Sequence, residues 1–145
     1  MRVGIVTAEF NAQYTQELED GAKRFLASVG VTDIHVLKVP GAFELGLGAK
    51  FFLKEKKCDY AICLGVVIRG ETDHYDFVCK AAQEGCLQVS LEMEKPVAFG
   101  VLTVNNYEQM YDRIWGRKGN NGYHVAKAGY DTVMNLNKLK ERNLE

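Results

Sequence analysis

Four runs of the chain are apolar and β-branched almost without interruption: RVGIVTA (2 to 8), IHVLKVP (34 to 40), YAICLGVVI (60 to 68) and PVAFGVLTV (96 to 104). Runs of this length with little polar alternation predict strands buried on both faces, as in a parallel sheet covered by helices. Between them, apolar residues return at helical spacing. Leu18, Ala22, Phe25, Leu26 and Val29 share one face, and Leu45, Ala49, Phe52 and Leu53 share another. After the third run, Val78, Ala82, Gly85, Cys86 and Val89 line up along a longer helix. It is expected to stop before Pro96, because proline disfavours helical geometry at the residue preceding it. A short helix near Tyr107 to Ile114, a glycine-rich turn GRKGNNG (116 to 122) and a final helix with Val125, Thr132, Val133, Leu136 and Leu139 complete the pattern. Only the last residues, ERNLE, are expected to fray.

Alternation of strand and helix with short connections implies right-handed crossovers and a parallel sheet with helices on both faces. The predicted fold is therefore α/β, a three-layer α/β/α sandwich around a four-stranded parallel sheet. With 145 residues, 47% of them hydrophobic, and no repeat, low-complexity tract or linker, one domain over 1–145 is expected.

Charge narrows the partners. A net charge of −1 without any block of like charge offers nothing to nucleic acid or to an anionic membrane, so a small neutral ligand or a subunit partner fits better. No apolar run approaches the roughly 20 residues that span a bilayer. The opening MRVGIVTAEF lacks the basic-then-apolar layout of a signal peptide, which points to the cytoplasm. Cys58, Cys63, Cys79 and Cys86 form no CxxC pair and have no metal-type spacing with histidine, so they read as small buried hydrophobes in a reducing compartment.

In an open parallel sheet, ligands sit outside the carboxyl ends of the strands, where loops converge and helix N-termini present free N–H groups. The residues there are unusual. Glu9-Phe10-Asn11 follow the first strand, Pro40-Gly41-Ala42-Phe43-Glu44 the second, and Arg69-Gly70-Glu71-Thr72-Asp73-His74 the third. Phe10 offers a flat face for a ring, Gly41 and Ala42 let backbone approach a ligand, and Glu44 accepts hydrogen bonds from hydroxyls. Gly70, Glu71 and Thr72 stand where a helix begins and can meet a phosphate or carboxylate. His74 can accept and return protons. Each residue also has a plainer reading: Phe10 as a core aromatic, Glu44 and Glu71 as first-turn acids complementing the helix dipole, Thr72 or Asp73 as an N-cap, and His74 as a structural residue.

Taken together, FN after the first strand (Phe10, Asn11), PGAFE after the second, VIRGETDHYDFVC after the third, PVAFGVLT on the fourth and GRKGNNG before the last helix resemble the lumazine synthases over nearly the whole chain. The resemblance implies a transferase late in riboflavin biosynthesis. Such proteins condense 5-amino-6-(D-ribitylamino)uracil with 3,4-dihydroxy-2-butanone 4-phosphate to give 6,7-dimethyl-8-ribityllumazine, releasing phosphate and water and using no cofactor or metal. On this reading Phe10 stacks on the pyrimidine beside Asn11, and Gly41, Ala42, Phe43 and Glu44 hold the ribityl chain. Val67 and Ile68 meet the uracil, Gly70, Glu71 and Thr72 face the phosphate, and His74 moves the protons. Phe99 and Arg113 come from a neighbouring subunit, Arg113 reaching the phosphate. The resemblance also implies a homopentamer with sites between subunits, in some members built further into a shell. The strand starting at Arg2 lacks the longer N-terminal segment of many members, which with Trp115 favours the free pentamer.

Two positions depart from the family pattern. Where the family's last turn reads GNKG followed one residue later by an acid, this chain has GNNGYH, with Asn121 for the lysine and His124 for the acid. Arg117 or Lys118 can restore the positive charge, or both are solvated turn residues. His124 either couples to His74 or is inert. A second reading therefore stands beside the synthase: an altered member that binds lumazine or flavin, or forms a structural ring. A flavodoxin-like nucleotide-binding domain is a third, resting on fold alone, and AEFNAQYT after the first strand lacks the GxGxxG path of a dinucleotide site.

Overall fold

The computed structural model describes residues 1–143 and contains among them four strands, five α-helices and one short 3-10 helix, Ala42–Glu44. The strands are β1 (Arg2–Ala8), β2 (Asp33–Val39), β3 (Tyr60–Ile68) and β4 (Val97–Val104), all parallel, in the order β2-β1-β3-β4. The helices are α1 (Ala12–Ser28), α2 (Leu45–Lys54), α3 (His74–Met93), α4 (Tyr107–Asp112) and α5 (Asn121–Asn143). This is the expected layered α/β fold with a flavodoxin-like sheet. Of the ERNLE tail, Glu141 to Asn143 belong to α5, and Leu144 and Glu145 lie outside the described residues.

The central strands are continuous in hydrophobicity because successive side chains serve opposite faces. Ile62 and Leu64 of β3 pack with Val3 and Ile5 against Leu18, Ala22, Phe25 and Leu26 of α1. Ala61 and Cys63 pack with Val6 and Ala8 against Leu45, Ala49, Phe52 and Leu53 of α2 and Ala82, Cys86 and Val89 of α3. The α2 and α3 helices cross where Gly46 meets Gly85; a Cβ on Gly46 would lie 3.1 Å from the Gly85 carbonyl carbon. Three of the cysteines are buried and Cys79 is partly so, with burial pushing the Cys58 thiol up to about 11. They behave as packing groups.

Two expectations need correction. The second strand is not buried on both faces: it is the sheet edge, and Val36 is 40% exposed. Leu136 and Leu139 lie on the expected helix but are exposed, as is Val29 at the end of α1. Apolar spacing alone does not distinguish a core face from a face covered by something else.

Candidate active site

Chain order and sheet order part company between β1 and β3, since β1 is followed by β2 on one side and then by β3 on the other. Such a switch point opens a crevice at the carboxyl ends of the strands. Here it is a cleft of about 600 Å³. Phe10 and Asn11 enter from β1, Gly41, Ala42, Phe43 and Glu44 from the turn after β2, Val67 and Ile68 from β3, and Gly70, Thr72 and His74 from the loop into α3.

Phe10 is 71% exposed, which removes its reading as a core aromatic. Asn11 adopts the left-handed conformation (φ 64°) that turns the chain into α1, and its amide nitrogen donates to the Val66 carbonyl at 2.8 Å. That bond fixes the β1 exit to β3 and holds Phe10 at the rim. Gly41 is extended, and an added Cβ would meet only Glu44 Oε1 at 3.7 Å. An added Cβ on Gly70 would meet nothing within 4 Å. The chain's own packing therefore does not demand either glycine, and both leave backbone open to the cleft.

Helix α3 begins at His74 with Asp73 at the N-cap, and the Asp73 side chain makes no capping bond. The Thr72 hydroxyl accepts from the His74 N–H at 3.3 Å, a weak version of the capping role considered for it. Among the described residues, the N–H groups of Gly70, Glu71 and Thr72 have no partner, so the loop presents free donors beside a helix start. The His74 side chain is exposed and lines the cleft. Glu71 is not among the residues that line it. Sequence reading missed Tyr75, which also lines the cleft; burial raises its phenol above the ordinary range, so it is a neutral hydrogen-bonding group there.

Phe99 and Arg113 are elsewhere. They line a second recess of about 410 Å³ along the outer margin of β4, with Lys118 and Asn121. His124 does not line the cleft; its Nε2 faces the Lys118 carbonyl at 3.2 Å.

The family model for 6,7-dimethyl-8-ribityllumazine synthase matches residues 1–137. The chain belongs to this family. It is 46% identical over 125 residues to the 6,7-dimethyl-8-ribityllumazine synthase of Cytophaga hutchinsonii, covering 85% of this chain and 79% of that protein. It is 41% identical over 133 residues to that of Bdellovibrio bacteriovorus, with 92% and 74% covered. The Coxiella burnetii synthase is 40% identical over 141 residues, 96% of this chain and 93% of that protein. For a member of the lumazine synthase family, a cleft with an exposed aromatic ring, a carboxylate, free N–H donors and a histidine is the place to seek the chemistry. Among the described residues, no helix is long and apolar enough to cross a membrane.

Proposed function

We propose that this chain is a cytoplasmic 6,7-dimethyl-8-ribityllumazine synthase, joining 5-amino-6-(D-ribitylamino)uracil to 3,4-dihydroxy-2-butanone 4-phosphate. One observation carries the assignment of roles: the cleft at the β1/β3 switch point gathers Phe10, Glu44, the Gly70–Thr72 loop and His74, although they come from three separate strand exits. Phe10 stacks on the pyrimidine, with Val67 and Ile68 along its edge. Glu44 and the backbone of Gly41 to Phe43 bind the ribityl hydroxyls. The free donors at Gly70 to Thr72 take up the phosphate.

His74 supplies the proton traffic. The substrate amine attacks the ketone carbonyl, and the carbinolamine loses water to form an imine once its hydroxyl is protonated. Loss of a carbon-bound proton then expels phosphate, and the second nitrogen of the pyrimidine closes the ring with loss of further water. One histidine that accepts and returns protons serves each stage. Much of the acceleration comes from holding both substrates in attack geometry, which makes a bimolecular step effectively unimolecular.

The working form is a homopentamer in which Phe99 and Arg113 of one subunit complete the cleft of the next. Their separation from the cleft of their own chain supports this, as do two exposed apolar stripes, Phe43, Leu47 and Phe51 beside Phe77, Leu87 and Leu91. The test is to mix the purified protein with both substrates and follow lumazine fluorescence against the slow uncatalysed reaction. Clear acceleration is expected. A folded protein that binds the ribityl-pyrimidine without accelerating product formation would instead establish the binding or structural ring that Asn121 and His124 suggest.

A further inference from the structure

We propose that Lys118 is the second cation of the recess that holds Arg113, and that the pair recognises the phosphate group of the phosphorylated substrate. This inference rests on the synthase reading and extends its site to a residue presented by the turn before α5.

The recess is bounded on one side by Phe99 and the Val101 to Val104 stretch of the edge strand, and on the other by Arg113, Lys118 and Asn121. No carboxylate lines it. Arg113 spends one guanidinium nitrogen on the Gln109 carbonyl at 2.9 Å, which fixes the group while leaving its other donors available. Lys118 is exposed and has no carboxylate within ion-pairing distance among the described residues, whereas its likewise exposed neighbour Arg117 is drawn to Asp112 at 3.4 Å. Two like charges facing one recess repel each other, and an anion between them relieves that cost while accepting charge-assisted hydrogen bonds. Asn121 adds a neutral amide donor to the same wall.

The backbone makes Lys118's placement specific. Its N–H donates to the Asp112 carbonyl at 2.9 Å, and its own carbonyl meets His124 Nε2 at 3.2 Å. The next residue, Gly119, has φ 73°, and a Cβ there would lie 2.7 Å from His124 Nε2. The turn is thus held on both sides of the Lys118 Cα. His124 acts as a positioning residue for the lysine, and the two departures at Asn121 and His124 belong to one rearranged anion site.

Inorganic phosphate is the probe. In the wild-type protein it is expected to compete with the phosphorylated butanone, and its binding can be measured by calorimetry without turnover. Lys118→Ala is expected to raise both the phosphate inhibition constant and KM for the phosphorylated substrate by about tenfold or more, the size of one charge-assisted hydrogen bond. KM for the ribityl-pyrimidine is expected to stay unchanged. Lys118→Arg should retain most of the affinity, His124→Ala should weaken phosphate in the same direction, and Arg117→Ala should change neither constant. Lys118→Gln, which keeps the length of the side chain, repeats the test should the alanine variant fold poorly. A phosphate constant within about twofold of wild type in folded Lys118→Ala or Lys118→Gln overturns the inference, as does an equal loss in Arg117→Ala. Absence of turnover in the wild-type protein is a separate result that bears on the synthase reading, since phosphate binding is read independently.

Discussion

The guanidinium carbon of Arg69 lies 4.3 Å from the ring centroid of Tyr75, so the first charged group after β3 stacks on the residue that follows His74. Arg69 also donates from Nε to Asn105 Oδ1 at 2.9 Å and approaches Asp76 at 3.4 Å. One side chain thereby joins the exits of β3 and β4 to the first turn of α3. The intervening loop makes few bonds of its own. Arg69→Ala is expected to lower kcat about tenfold through misplacement of His74, with KM for the ribityl-pyrimidine little changed. In a His74→Ala background the same substitution should have almost no further effect on kcat. Equal losses in both backgrounds, measured by steady-state kinetics, would mean that Arg69 does not work through His74.

His74→Ala is expected to slow lumazine formation by about 10²–10⁴-fold and to leave a residue of catalysis above the uncatalysed rate, because positioning survives the loss of the proton carrier. Substrate titration by fluorescence should show near-normal binding of the ribityl-pyrimidine. Complete loss of turnover with intact binding would put more of the rate on proton transfer than this division of labour allows.

The sheet explains which parts of the molecule could be read from the chain. Residues such as Ile62 and Leu64 announce β3 because both of its faces are covered, and the helices over it repeat at Leu45, Ala49, Phe52 and Leu53. Edge position leaves no such mark, so β2 was expected to be buried and is not. The site was legible because strand exits in a parallel sheet converge, which brings Phe10, Glu44 and His74 together. Tyr75 was missed and Arg69 was named without a role, because Arg69 stacks on Tyr75 while held by Asn105, 36 residues farther along the chain. Asn11 lines the cleft, and its amide nitrogen also donates to the Val66 carbonyl, a partner that no local pattern names.

Glu19 gives a prediction about stability. Its side chain is 3% exposed, and burial alone would raise its carboxyl. Hydrogen bonds from Lys38 at 2.6 Å, Lys23 at 2.9 Å, Thr7 at 2.8 Å and Gln16 at 3.2 Å outweigh that and lower it to about 2. A carboxylate depressed in the folded state contributes stability above its unfolded value and loses it as pH falls through the folded one. The contribution, about 3 kcal/mol, should be complete above about pH 5 and vanish towards about pH 2. Urea denaturation across this range should show Glu19→Gln less stable than wild type at neutral pH, with the two curves converging in acid. Parallel curves would show that Glu19 is not the titrating group.

Leu91, on the exposed stripe of α3 with Phe77 and Leu87, tests assembly. Leu91→Asp places a charge where an apolar partner is expected and should convert the proposed ring to smaller species in sedimentation velocity. Because Leu91 packs on nothing within its own chain's core, the far-ultraviolet circular dichroism should not change. Turnover should fall with assembly, since Phe99 and Arg113 would no longer reach a neighbour's cleft. A folded variant that stays assembled would move the interface off this stripe.

Asn121→Lys separates a decayed site from a rebuilt one. Asn121 shares its recess with Arg113 and Lys118, and its N–H is already engaged by the Arg113 carbonyl at 2.8 Å. A third cation there meets two others at close quarters, so its gain towards phosphate is offset by mutual repulsion. Turnover is therefore expected to stay within about threefold of wild type, less than one charge-assisted hydrogen bond is worth. In Lys118→Ala, where one cation has been removed, the same lysine should recover much of the lost phosphate affinity. A large gain in the wild-type background would show instead that the recess is short of charge and that Lys118 does not supply it.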